Sequence, residues 1–147
     1  MNMLQTESIL AMHLMPIRME YVKSYKDLEV YKLSRQLSRN IFDVTKTFPR
    51  EEMYSLTDQI RRSSRSIGAQ IAEAWGKRKY ERYFVNKLTD SDSEQFETQH
   101  WIETAKDCSY ITEQQSGELL TKCYSIGRML NSMITKAGTF CRKDPSQ

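Results

Sequence analysis

Glu97, Thr98, Gln99 and His100 make up the one E-x-x-H run of the chain. On a helix this spacing puts a carboxylate and an imidazole on one face. Di-iron helix bundles build their metal centre from two such pairs and two further carboxylates. This chain has only two histidines, and the second, His13, lies close to the N-terminus. A second E-x-x-H is therefore missing, and a helix-surface histidine is the better reading of His100. Cys108 follows His100 by eight residues, about two helical turns, which is too far for a Cys–His nucleophile pair on one helix. The sequence contains no G-x-x-x-x-G-K-[ST], no G-x-G-x-x-G and no G-x-S-x-G. The carboxylates of the Asp90-Ser91-Asp92-Ser93-Glu94 run read as a solvated face rather than an acid/base pair. The expectation is a protein without enzymatic activity, with no catalytic residue, no metal and no cofactor.

The basic residues hold more information. Arg61 and Arg65 stand at i,i+4 and Arg62 and Arg65 at i,i+3, so on a helix they are neighbours. The planar guanidinium fork suits phosphate. Past Gly76 comes Lys77-Arg78-Lys79-Tyr80-Glu81-Arg82-Tyr83, where cations alternate with tyrosines. That mixture can neutralise phosphates while the rings stack on unpaired bases. The candidate nucleic-acid contacts are thus Arg61, Arg62, Arg65, Lys77, Arg78, Lys79 and Arg82. The opposing reading has Arg61 and Arg65 pairing with acids of a neighbouring helix, within or between subunits. Charge is in fact laid out in blocks. Residues 60–88 carry eight cations against two acids, residues 89–118 eight acids against one cation, and residues 119–143 five cations and no acid. Blocks of opposite sign call for complementary surfaces, between helices, between subunits or toward an anionic ligand.

These residues must be positioned by helices. The chain has 147 residues, 39% hydrophobic and 28% charged, with only 5 Gly and 3 Pro, which excludes disorder and a turn-rich β architecture. No apolar run approaches the ~20 residues of a membrane span. Three cysteines without a C-x-x-C do not make a disulfide framework. They are expected as reduced thiols in a cytoplasmic protein, with Cys108 and Cys123 as small core residues. Residues 1–23 show no period and are expected to be a weakly ordered extension or the product of a start upstream of a natural one near Met19. The first helix is expected from an N-cap at Ser24 with Asp27 at N3, on the stripe Val30, Leu33, Leu37, Ile41, Val44, Phe48. Phe48-Pro49 ends it. The second stripe is Met53, Leu56, Ile60, Ile67, Ile71, Ala74, with Ser63 and Ser64 between and Gly76 as the stop. The third, from near Tyr80 to about Tyr110, is more polar: Phe84, Leu88, Ser91, Gln95, Thr98, Ile102, Ala105, flanked by Phe96 and Trp101. The fourth starts at an N-cap Ser116, runs on Leu119, Cys123, Ile126, Leu130, Ile134, Ala137 and stops at Gly138. Residues 139–147 are expected to fray.

Several of these segments, in order and at the right spacing, resemble the four-helix-bundle family named for the 23S rRNA intervening-sequence protein. That family includes relatives of the accessory variability determinant of diversity-generating retroelements. The resemblance begins at Tyr25-Lys26-Asp27-Leu28-Glu29-Val30-Tyr31. It continues through Phe48-Pro49 and Glu52-Met53-Tyr54-Ser55-Leu56-Thr57-Asp58-Gln59-Ile60-Arg61-Arg62-Ser63. Further blocks are Gln70-Ile71-Ala72-Glu73-Ala74, residues 87–101, Cys108-Ser109-Tyr110-Ile111 and Met129-Leu130-Asn131-Ser132-Met133-Ile134. The family's Pro, Asn and Gly in its S-I-P-x-N-I-A-E-G segment are Gly68, Gln70 and Ala74 here. The resemblance implies an all-α, antiparallel up-down-up-down four-helix bundle over residues 24–138. It also implies a homopentamer, RNA or other nucleic acid as ligand, and no enzymatic activity. The alternative it leaves open is an accessory scaffold that binds a protein partner such as a retroelement reverse transcriptase. Among the polar stripe residues, Gln59, Thr98 and Gln99 are expected to form an inter-helix hydrogen-bond layer.

Overall fold

The computed structural model describes residues 22–141. The readings of residues 1–21 as an extension, of a start near Met19 and of the last six residues as a frayed tail lie outside the described residues. The long helices are α1 (Glu29–Thr45), α2 (Asp58–Gly76), α3 (Glu81–Asp107) and α4 (Glu113–Thr135), followed by one short turn of helix, α5 (Ala137–Phe140). Among the described residues there is no strand. None of these helices is long and apolar enough to cross a membrane.

Side-chain partners fix the helix directions. Thr45 meets Arg61, and Ser34 lies against Gly68, so α1 and α2 are antiparallel. Ser63 meets Thr98 and the Ile67 carbonyl meets Ser91, so α3 runs back along α2. Gln95 lies against Gly127 and Phe84, at the start of α3, lies against Phe140 just past α4, so α4 reverses again. With α1 packing on α4, the square closes into an up-down-up-down four-helix bundle.

The core follows most of the stripes read from the sequence, although Leu33 and Val44 are only half-buried and the neighbouring Ser34 and Thr45 are buried in α1. Leu37, Ile41, Ile60, Ile67, Ile71, Phe84, Leu88, Ile102, Ile126 and Leu130 are fully buried, each contributing about 1.5–3 kcal/mol of hydrophobic burial. The third stripe is buried at every position, polar members included. Met53, expected in the core, is exposed instead. It sits in a π turn (Met53–Thr57) that follows a 3₁₀ turn (Arg50–Glu52), and this irregular start rotates it out of the α2 stripe. Ile134 is only half-buried, and Met133 takes the core position.

The helix ends carry further corrections. Ser24 and Asp27 do form a reciprocal capping box, but on a separate 3₁₀ turn (Tyr25–Asp27). The chain is extended at Leu28 before α1 begins. The N-cap of α4 is Thr112, which accepts from the Gln115 N–H at 3.1 Å while Gln115 Oε1 accepts from the Thr112 N–H at 2.9 Å. Ser116 is a buried residue of the first turn. Gly138 does not terminate α4, which stops at Thr135. Residues 139–141 do not fray. Phe140 stacks on Phe84 with ring centroids 5.9 Å apart, and Cys141 packs on the core. Cys108 is exposed at the end of α3, whereas Cys123 is buried.

The hydrogen-bond layer is real but differently composed. Thr98 Oγ1 lies 2.9 Å from Ser63 Oγ and 2.8 Å from the Glu94 carbonyl oxygen, and Ser91 Oγ donates to the Ile67 carbonyl at 2.9 Å. Gln99 donates to Gln95 on its own helix, and Gln59 is half-buried. The small α2 residues Ser63, Ser64 and Gly68 let α1 and α3 approach closely. A Cβ on Gly68 would stand 3.0 Å from Ser34 Oγ.

Candidate nucleic-acid interface

Helix α2 carries two basic clusters. The first lies where α1 and α2 face each other. Arg61 donates through Nε to Thr45 Oγ1 at 2.8 Å, and its guanidinium carbon stands 4.8 Å from the centre of the Phe42 ring. Arg65, one turn further on, stands 5.7 Å from the same ring, and Lys46 Nζ 4.8 Å. Three cations thus converge on one aromatic side chain, each within cation–π reach. Arg62 points elsewhere. It is exposed on the side toward α3, where its charge acts on Glu94. Burial pushes the Glu94 carboxyl above its ordinary value, and neighbouring Glu97 pushes it further, while Arg62 pulls the other way. The three arginines therefore do not form one patch: Arg61 and Arg65 serve one face and Arg62 another.

The second cluster is the loop after α2. Arg78 folds back on Trp75, with its guanidinium 3.5 Å from the ring centre and its Nε donating to the Trp75 carbonyl at 2.9 Å. Lys77 reaches toward Tyr83 (5.8 Å) and Lys79 toward Tyr80 (5.5 Å), and the two tyrosines meet edge to face at 5.7 Å. Lys77, Lys79, Arg82, Tyr80 and Tyr83 are all exposed. The twelve residues from Arg65 to Lys77 span about 18 Å of helix.

Pairing of Arg61 and Arg65 with third-helix acids does not occur within the chain. Among the described residues neither has a carboxylate in salt-bridge reach. Among the described residues the ion pair between α2 and α3 is made by Lys87, which holds Glu73 of α2 at 2.9 Å and Asp90 of its own helix at 3.6 Å. Physically, Arg61 and Arg65 project to the α1 side, and the acids of α3 lie across the bundle from them. Sequence reading missed the α1 side of the first cluster. Arg35, Arg39, Phe42 and Lys46 recur at steps of four, three and four, a basic stripe beside the apolar one. That periodicity was the available signal.

His100 is exposed and stacks edge-on against Trp101 at 4.6 Å. Among the described residues no group of three or more His, Cys, Asp or Glu is placed to hold a metal ion.

Fold and surface define a class: a small all-helical bundle with an aromatic-studded basic face and an acidic ridge along α3. Residues 26–132 match the family described as 23S rRNA-intervening sequence protein, and the chain belongs to that family. A crystal structure from Bacteroides thetaiotaomicron, a protein of unknown function from the S23 ribosomal protein family, is similar at 31% identity and a TM-score of 0.66. The match covers 72% of this chain and 95% of that one. No curated protein matches the chain.

Proposed function

We propose that the protein is a non-enzymatic RNA-binding protein of the cytoplasm that acts as an oligomer, contacting RNA mainly through phosphates. The observation that carries this reading is the set of cations on and after α2. Arg61, Arg62, Arg65, Lys77, Lys79 and Arg82 have no carboxylate in salt-bridge reach among the described residues, and four of them stand beside aromatic rings. Arg78 belongs to the same surface through its stack on Trp75. The family's name, which ties it to 23S rRNA, agrees with this chemistry. A homopentameric ring would set five such faces side by side and raise affinity by multivalency. The acidic ridge of α3 supplies a surface of opposite charge for the heterologous contacts that close rings.

The test is fluorescence anisotropy of labelled RNA with purified protein across a salt series. Binding is expected to weaken steeply as salt rises, with a log–log slope equal to several phosphate contacts. Absence of binding at low salt overturns the reading. It would favour the second one, an accessory scaffold for a protein partner such as a retroelement reverse transcriptase. What supports that alternative is the acidic ridge, where Glu97 stands close enough to push the Glu94 carboxyl up.

A further inference from the structure

Between α1 and α2 runs an open groove of about 850 Å³, and the two helices line it unequally. The α1 wall presents Arg35, Arg39, Phe42 and Lys46. The α2 wall presents Arg65 above a floor of small residues: Ser64, Gly68, Ala69 and Ala72. One carboxylate, Asp43, lines the groove, and Lys46 already holds it at 3.3 Å. Arg35, Arg39 and Arg65 are exposed and have no carboxylate in salt-bridge reach among the described residues. Arg35 is instead held by the Tyr31 hydroxyl at 3.3 Å.

The geometry points to this groove as the seat of one unpaired RNA strand, bound through its phosphodiester backbone. The inference rests on the RNA-binding reading above and adds Arg35, Arg39 and Phe42 to it. Three features support it. The cations are mostly arginines, whose forks grip phosphate oxygens in pairs. The Tyr31 hydroxyl holds Arg35 and the Phe42 ring holds Arg65 before any ligand arrives, so less side-chain freedom is lost on binding. Ala69 and Ala72 put no long side chain in the path of a strand along the α2 wall, and a space of this size takes in a short stretch of one strand and leaves a duplex at the rim.

The experiment compares labelled single-stranded RNA with its duplex, by anisotropy across salt, for three versions of the full chain. These are the unaltered protein, Arg35→Gln with Arg39→Gln, and Lys77→Gln with Lys79→Gln. The Arg pair is exposed, and circular dichroism checks that helix content is unchanged. Loss of the Arg pair is expected to weaken single-strand binding about tenfold or more and to lower the log–log slope by about 1.4, two contacts at roughly 0.7 each. Duplex binding is expected to change less. Phe42→Leu is expected to weaken single-strand binding several-fold with the slope unchanged, because it removes the ring that orients the guanidinium groups and no charge. If only the lysine variant loses affinity, the groove inference falls and the RNA-binding reading stands. If the unaltered protein binds no RNA at low salt, both fall. Equal losses for strand and duplex, or stronger competition from polyglutamate than from unlabelled single strand, would also overturn the groove as a seat for unpaired RNA.

Discussion

Cys123 and Cys108 show how much one side chain's surroundings decide. Cys108 caps the end of α3 and is exposed, but Cys123, within α4, is fully buried, and burial pushes its thiol up to about 12 from an ordinary value of 9.0. Its folded form keeps the proton where the unfolded form has already lost it. The stability this contributes is present below pH 9 and is lost as pH rises toward about 12. Urea unfolding across that range is expected to show falling stability, and Cys123→Ala is expected to flatten the fall. A thiol reagent at neutral pH is expected to label Cys108 quickly and Cys123 only after unfolding. Rapid labelling of Cys123 in the folded protein would contradict its burial. The polar residues of the α3 stripe obey the same rule of environment. Thr98 and Ser91 are tolerated in the core because each has a partner on α2.

At the scale of elements, the turns depart furthest from simple pattern reading. Helix α3 ends in a Schellman arrangement: the Tyr110 N–H donates to the Ala105 carbonyl at 2.9 Å and the Ser109 N–H to the Lys106 carbonyl at 2.9 Å. The left-handed position usually given to glycine is held by Ser109, at φ 60°. A serine there is strained, and Ser109 is exposed. Ser109→Gly is therefore expected to stabilise the protein by about 0.5–1 kcal/mol, the relief of strain less the extra freedom glycine gives the unfolded chain. A lower urea midpoint in that variant would show that the serine is not strained. The arrangement aims Tyr110 at Phe48, 5.4 Å between ring centres, and sets its hydroxyl 3.1 Å from Glu52 Oε1. Glu52 in turn accepts from the Ser55 hydroxyl and the Leu56 N–H at the π turn. These bonds hold its carboxyl below the ordinary range, led by the Ser55 hydroxyl. The loop after α3 and the entry to α2 are thereby fastened to each other.

The whole molecule carries a net charge of +3, a small number that conceals its surface. Cations crowd the α1–α2 face and the loop after α2, while acids line α3. Such a molecule is prepared to meet its opposite, whether RNA or a second copy of itself. If copies associate through these faces, the contact must weaken as the Debye length shrinks from about 10 Å at 0.1 M salt to about 3 Å at 1 M. Sedimentation velocity is expected to show an assembled species, five chains in a closed ring, at low salt and a shift toward single chains at high salt. A single-chain species at every salt concentration would remove the oligomer and leave RNA as the use for the charge.

The periodicity of Leu, Ile and Phe by itself determined four helices, their order and the buried face of each, because burying one apolar stripe per helix leaves a bundle as the compact solution. It also determined that Ser91, Gln95 and Thr98 lie inside, since they occupy stripe positions. The sequence could not determine which partners those residues find, because an inter-helix hydrogen bond depends on register between segments tens of residues apart. Nor could it separate Arg62 from Arg61 and Arg65. Neighbours along a helix differ by about 100° in direction, and only packing of α1 against one side of α2 and α3 against the other decides which way each arginine leaves the bundle. The groove is the clearest case. Its two walls belong to different helices, and the convergence of Lys46, Arg61 and Arg65 on Phe42 exists only once α1 and α2 have packed antiparallel.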